Sequence, residues 1–398
     1  MGAKKIALMG NMNNMMFSLV RYLRDAGEDA HLLLYVNEMD HFHPSTDSFD
    51  LSYQDYCHTL TWGDSLKLRK TPAAQIAADL APYDILIGCG AAPAYCHKVG
   101  RKLDIFKPYG SDIADLTQYR PSVFYPQYSI EQCYGVHMQR QGLAQCTALH
   151  AGIANPRYER CYSKFLPQAQ RWRMGMPLFY APPYKHRSIT SDWRQTYWSE
   201  VFQTVRAKND FVVFYHNRHS WRASAEDPNN KGTDVFLRGF ADFSLSAQGT
   251  RATLVTIEYG PDVPASKALL DELGIADRVL WLPRMGRKDV MAGLHYSDVG
   301  CGVFSRSTLT NSVIQEVLAA GRPLISWRDD SRYVAQHKDL YPMLHASNVH
   351  EVAGQLRAMA TDSSKRKKIG DAAKTWLEES VVAPAVAQYQ KFISEHKK

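Results

Sequence analysis

Short apolar runs alternate with stretches of helical spacing along almost the whole chain. In the first half, runs at 5–9, 31–36, 84–88, 105–109, 145–150 and 176–180 predict strands, and the loop 10–14 leads from the first of them into a helix over 16–26. A proline-marked break at Ala181-Pro182-Pro183 follows, then a helix over 196–206. The second half is more regular. Strands are predicted at 211–215, 253–258, 279–282, 299–304 and 323–327, with helices at 233–243, 266–273, 288–295 and from Ser312 onward. Helices over 349–360 and 365–380 close the pattern. Continuous apolar strands alternating with helices mark parallel α/β architecture. Two doubly wound domains are expected, at 1–185 and 186–375, with a C-terminal helix in 376–398 packing back on the first.

A chain of 398 residues has room for two or three domains, and 45% hydrophobic with 22% charged residues is ordinary for a globular protein. No apolar run is long enough to span a bilayer, and the start MGAKKIALMG reads as a first strand rather than a signal peptide. Seven cysteines without a repeated spacing point to reduced thiols and a cytoplasmic location. Cys89, Cys96 and His97 lack an accompanying CxxC pair, so no metal site is expected. The net charge of +7 includes two short basic runs, Lys67-Leu68-Arg69-Lys70 and Lys365-Arg366-Lys367-Lys368. They suit contact with an anionic membrane surface or a phosphorylated substrate, or simply form solvated helix faces. No nucleic-acid-binding pattern is present.

The segment 299–327 carries the sharpest chemistry. It reads as buried strand, polar loop (305–311), helix and second strand. Ser312 with Gln315 has the form of a capping box, and Gly321-Arg322-Pro323 ends the helix. A helix start at the carboxyl end of a parallel strand is an anion site, because unpaired N–H groups and the positive dipole end face the ligand crevice. Thr308, Thr310, Asn311 and Ser312 add short polar groups there, and Glu316 sits one turn deeper. Phosphate at the tip and a carboxylate beyond it suit a nucleotide, since a carboxylate accepts from both ribose hydroxyls.

The same segment resembles the signature of retaining glycosyltransferases of the GT-B fold, family 4 above all. Those proteins carry two glutamates seven residues apart, then Ala-x-x-Gly-x-Pro and an apolar strand. Glu316 fits the second glutamate, and Ala319, Gly321 and Pro323 fit the tail, while Thr308 holds the place of the first. Leu294, Tyr296 and Asp298 approximate the family's helix exit before the buried strand. The resemblance implies two Rossmann-like domains facing a central cleft, with the nucleotide sugar held by the second. It implies that Arg218 and Lys231 clamp the donor diphosphate, with Asn217 in place of the family's glycine; Arg222, in the insert between them, is the alternative to Arg218. Ser305 takes the place of a serine common after this strand in the family, and equally suits a cap, while Arg284 falls where the family's loop lines the base pocket. Gly10 and Asn11 fall in the loop that approaches donor phosphate and acceptor. Asp112, in Gly110-Ser111-Asp112, resembles a cleft carboxylate that contacts sugar or acceptor hydroxyls, and it equally suits a helix cap.

The function implied is transfer of a sugar from a nucleotide-diphosphate sugar to a glycan, glycolipid or similar acceptor in bacterial surface polysaccharide synthesis. The expected course is retaining, with no metal or other cofactor. Localisation would be cytoplasmic, at the inner face of the cytoplasmic membrane. Thr308 implies an altered contact to the donor sugar and leaves open a different stereochemical course with Asp112 as base. A sugar-nucleotide epimerase or hydrolase on the same fold, and a non-catalytic nucleotide-sugar-binding relative, are the alternatives. A nicotinamide-dependent oxidoreductase is disfavoured, because neither half supplies the Gly-x-Gly-x-x-Gly turn after a first strand.

Overall fold

The computed structural model describes residues 4–152, 156–185, 196–224, 227, 229–335, 337 and 339–396. The chain forms two compact units, Met1–Tyr180 with Val381–Lys398, and Ala181–Ser380. Residue 186, the expected start of the second domain, lies outside the described residues.

The first unit is a parallel sheet of seven strands: β1 (Lys5–Met9), β2 (Asp29–Leu34), β3 (Cys57–Thr59), β4 (Ile85–Gly88), β5 (Ile105–Phe106), β6 (Ala148–His150) and β7 (Gln170–Trp172). Its spatial order is 3-2-1-4-5-6-7. The central strands are buried apart from Lys5 at the start of β1, as both faces of the sheet carry apolar clusters. The C-terminal helix Ala383–Glu395 belongs to one of these clusters. His150, fully buried, fixes it: Nδ1 lies 3.0 Å from the Tyr389 hydroxyl and Nε2 lies 3.2 Å from the Met174 carbonyl. Burial pushes the imidazole pKa down to about 3, so His150 acts as a neutral strut. The run 176–180, expected as a strand, is irregular; the edge strand is Gln170–Trp172, six residues earlier at its start, in register with β6.

The second unit holds β8 (Phe211–Tyr215), β9 (Ala252–Glu258), β10 (Val279–Pro283), β11 (Val299–Cys301), β12 (Leu324–Ser326) and β13 (Leu344–His345), all parallel. The order β10-β9-β8-β11-β12-β13 is the dinucleotide-fold order, with its reversal between β8 and β11. Two glycines set close packing in this unit, one of helix on strand and one of helix on helix. A Cβ on Gly300 in β11 would lie 2.5 Å from a methyl of Val317, so glycine lets the helix Ser312–Ala319 sit directly on the strand. Gly239 does the same between the helices Thr233–Ser244 and Val349–Thr361, where an added Cβ would lie 2.5 Å from Val352. Among the described residues, no helix is long and apolar enough to cross a membrane.

Candidate functional site

Open α/β sheets bind ligands beyond the carboxyl ends of the strands where the strand order reverses. In the second unit that point lies between the loop after β8, His216-Asn217-Arg218, and the loop after β11. Asn217 joins the two. It is buried, and its Nδ2 donates to the carbonyls of Cys301 (3.0 Å) and Gly302 (2.7 Å). Asn217→Ala would leave both acceptors buried without this donor, so the unit is expected to lose about 1–3 kcal/mol in urea unfolding. An unchanged midpoint would contradict the staple.

Lys231 is brought in by its backbone. Its N–H donates to the Ser220 carbonyl (2.6 Å), and its carbonyl accepts from the Phe304 N–H (2.9 Å). The Ser305 hydroxyl donates to the Asn230 carbonyl (2.6 Å), so the loop before the helix Thr233–Ser244 is stitched to the loop after β11. Gly232 must be glycine twice over: its φ is +64°, and a Cβ would meet the Ser305 nitrogen at 2.6 Å. Three cations gather here. Burial, then the neighbouring charges of Arg306 and Arg218, push the Lys231 ammonium down to about 8, against partial relief from Asp227. Arg218 donates from Nη2 to the Asn229 side chain (2.8 Å), and no carboxylate forms a salt bridge with Lys231 or Arg218 among the described residues. Arg222 is exposed and is absent from the charges acting on Lys231.

Glu316 sits one turn into the helix Ser312–Ala319 and is only 7% exposed. Its Oε1 accepts from Arg287 Nε at 3.0 Å and its Oε2 lies 3.1 Å from His216 Nε2. Burial alone would raise the carboxyl pKa, but Arg287 and His216 outweigh it and hold it below the ordinary range. His216 and Arg287 are themselves buried, and His216 Nδ1 has no hydrogen-bond partner among the described residues. Neither residue was signalled by a motif: they lie 100 and 29 positions from Glu316, and only the fold brings them together.

The helix start differs by one residue from the capping box expected at Ser312. Asn311 is the cap, its Oδ1 accepting from the Ile314 N–H at 2.9 Å, because Asn311 has the extended backbone that a cap needs while Ser312 is already helical. Gln315 donates instead to the Thr310 hydroxyl (3.0 Å). Thr308 pairs through its N–H with the Trp327 carbonyl (3.3 Å) and leaves its side chain partly exposed beside Arg306. Arg284 is exposed after β10.

In the first unit the corresponding reversal lies between β1 and β4. Gly10, with φ +79°, ends β1, and a Cβ there would meet Cys89 Sγ and the Tyr35 ring at 2.8 Å each. Asn11 is fully buried: its side chain donates to Asn14 (3.0 Å) and to the Phe42 carbonyl (2.7 Å) and accepts from the Phe17 N–H (2.9 Å). Asp112 is also fully buried, and its oxygens accept from the N–H groups of Gly90, Tyr109 and Gly110 at 3.0 Å each. Burial, partly offset by these N–H groups and Lys107, pushes Asp112 up to about 6. It ties the turn after β4 to the turn after β5 from within the helix Ser111–Ala114, whose cap residue Gly110 makes no side-chain cap bond, and presents no exposed surface to a hydroxyl. A carboxylate that does line a cavity at this reversal is Glu38, which no motif had marked.

Both basic runs are partly neutralised, Arg69 and Lys70 by Glu131 at 2.7 and 3.8 Å, and Lys367 by Asp371. Among the described residues no group of three or more His, Cys, Asp or Glu side chains is placed to hold a metal ion.

No protein-family model matches the chain, and no curated protein matches it by sequence. Solved structures match over its whole length. HepE of Anabaena, solved with UDP, with UDP and glucose, and with UDP-glucose, is 15% identical with a TM-score of 0.61, covering 98% of this chain and 99 to 100% of its own. The fold is GT-B. A glycosyltransferase from Rickettsia africae matches at 12% identity and TM-score 0.60 over 100% of both chains. Sucrose-phosphate synthase from Thermosynechococcus elongatus matches at 13% and 0.57 over 98% of each.

Proposed function

We propose that this chain is a glycosyltransferase that moves a sugar from a nucleoside-diphosphate sugar to a glycan or lipid-linked acceptor. The observation that carries this is the second unit's reversal point. There, Lys231 and Arg218, which form no salt bridge to a carboxylate among the described residues, lie with Arg306 beside a helix start, and a buried, ionised Glu316 lies one turn behind it. Such a set fits a diphosphate flanked by a ribose: Lys231 and Arg218 bind the phosphates, the 305–312 loop contributes Ser305, Thr310 and Ser312 at their edge, and Glu316 accepts from the ribose. A carboxylate offers about four acceptor sites, so its two bonds to Arg287 and His216 leave capacity for a hydroxyl. Arg284 and Thr308 flank the base and the sugar. The Anabaena neighbour's complexes with UDP and UDP-glucose favour a uridine donor.

In the reaction the bond from the anomeric carbon to the diphosphate oxygen breaks and the diphosphate leaves with the electron pair. The acceptor oxygen forms the new bond, and its proton passes to the departing phosphate. The protein's part is positioning and stabilising the growing negative charge, through Lys231, Arg218 and the helix start. That scheme retains configuration and needs no metal. UDP-glucose is expected to raise the unfolding temperature, as a ligand of the native state does, and its consumption is expected to require an acceptor. Steady conversion of the donor to an epimerised sugar without acceptor would point to an epimerase instead.

A further inference from the structure

Two cavities adjoin at the reversal point of the first unit. One, about 150 Å³, is lined by Glu38, Asn37, Tyr35, Tyr109 and the backbone turns at Gly63 and Gly90. The other, about 190 Å³, is walled by Leu66, Leu68, Val136 and Tyr128, with Arg120 and Asp115 at its polar side. Ser65, Ala91 and Leu116 line both, so the polar cavity continues into the apolar one.

The surface around them is unusual in one respect. Ten large apolar side chains of the first unit's described residues are well exposed, and all but Leu51 lie in the segments that form these cavities. Val36 and Met39 bracket Asn37 and Glu38, and Leu66 is a wall residue. The rest cluster in 119–130, where Val123 is 89% exposed and Phe124 83%. Helices normally keep such residues inward. The helix Pro126–Ala144 instead shows Tyr128 and Ile130 to solvent at its start.

We propose that this bipartite cavity binds an amphipathic acceptor, a hydroxylated head held at Glu38 with an apolar chain leaving through the Leu66–Tyr128 wall onto the exposed segment 119–130. Calling the ligand an acceptor rests on the transferase reading above; the binding itself does not. Glu38 suits the head. Its Oε1 already accepts from the Asn11 N–H at 2.5 Å, and it lies among Tyr35, Cys89 and Tyr109, all neutral groups. Burial pushes its carboxyl up to about 7 against the pull of that N–H and a further backbone bond, leaving it half ionised near neutrality and able to accept from or donate to a hydroxyl. A free, water-soluble sugar would use only the polar half of this space. An alkyl chain would cover aromatic surface that is otherwise wet.

The test uses the full chain without donor, titrated with methyl β-D-glucoside and octyl β-D-glucoside, the latter below its micelle concentration. Octyl glucoside is expected to bind at least roughly tenfold more tightly. That gain should fall severalfold in Tyr128→Ser with Leu66→Ser. Glu38→Gln should weaken both ligands and remove the change of affinity across pH 7. Equal affinity of the two glucosides, or a chain-length gain untouched by the wall substitutions, would overturn the proposal. So would sedimentation showing that Phe124→Ser splits a dimer, since the patch would then be a self-interface. Thermal stabilisation by UDP, measured alongside, reports separately on the transferase reading: either can fail while the other stands.

Discussion

Glu316→Ala is expected to lower the stability of the second unit by about 3–5 kcal/mol as well as to abolish nucleotide-sugar turnover. Glu316, Arg287 and His216 are each less than a tenth exposed, so removing the carboxylate leaves a buried guanidinium without the anion that faces its Nε. Breaking one side of a buried ion pair costs far more than the intact pair contributes, because the remaining charge keeps its desolvation penalty. Glu316→Gln separates the two roles. The amide retains shape and hydrogen bonding but not charge, so it should recover part of the stability while ribose affinity stays impaired. The pair's contribution also has a sign in pH. Its folded pKa is depressed, so the stabilisation is present above the unfolded carboxylate range and is lost as the pH falls through the folded value. Chemical unfolding at pH 7 and pH 4 checks both statements; a Glu316→Ala loss below about 1 kcal/mol would contradict the buried-pair description.

Lys231→Ala should behave in the opposite way, with a large loss of turnover and no loss of stability. Its ammonium is held down to about 8 by burial and by Arg306 and Arg218, an arrangement unfavourable to the empty protein. The folded-state pKa lies below the unfolded one, so the empty protein gains stability as the pH rises from about 8 toward the ordinary lysine range, and Lys231→Ala should be neutral or stabilising at pH 7. A diphosphate reverses the balance by supplying the missing anion. Removing the lysine is therefore expected to cost about 10²–10³-fold in turnover, comparable to the loss of one oxyanion donor. Nucleotide affinity should also weaken as the pH rises through about 8 in the wild-type protein and lose that dependence in the variant. Lys231→Arg, which keeps charge but not shape, should restore affinity more than turnover.

What was legible in the chain follows from how local each signal is. The strand 211–215 was read residue for residue, because its continuous apolar run is bounded by polar residues on both sides. The helix after β11 was legible because turn residues and caps act within a few positions, although its cap lies one residue earlier, at Asn311. Strands β3, β7 and β13 were not, having only two or three residues each and little alternation to read. The run 176–180 shows the converse error: apolar residues can be buried, as Phe179 is, without pairing in a sheet. The helix Pro126–Ala144 was hidden because its apolar residues do not line one face, and of its exposed ones Tyr128 walls the cavity described above. Lys231 and Glu316 were marked by motif, but their partners were not. Arg287, His216 and Glu38 gain meaning only from contacts across tens of residues, which no spacing rule encodes.

The most direct test of nucleotide-sugar binding at the β8–β11 reversal is calorimetric titration of UDP into wild type, Lys231→Ala and Glu316→Gln at pH 7. Saturable binding by the wild type, weakened at least about tenfold in each variant while each remains folded, is the predicted result. No binding by the wild type, or equal affinity in all three, would contradict it.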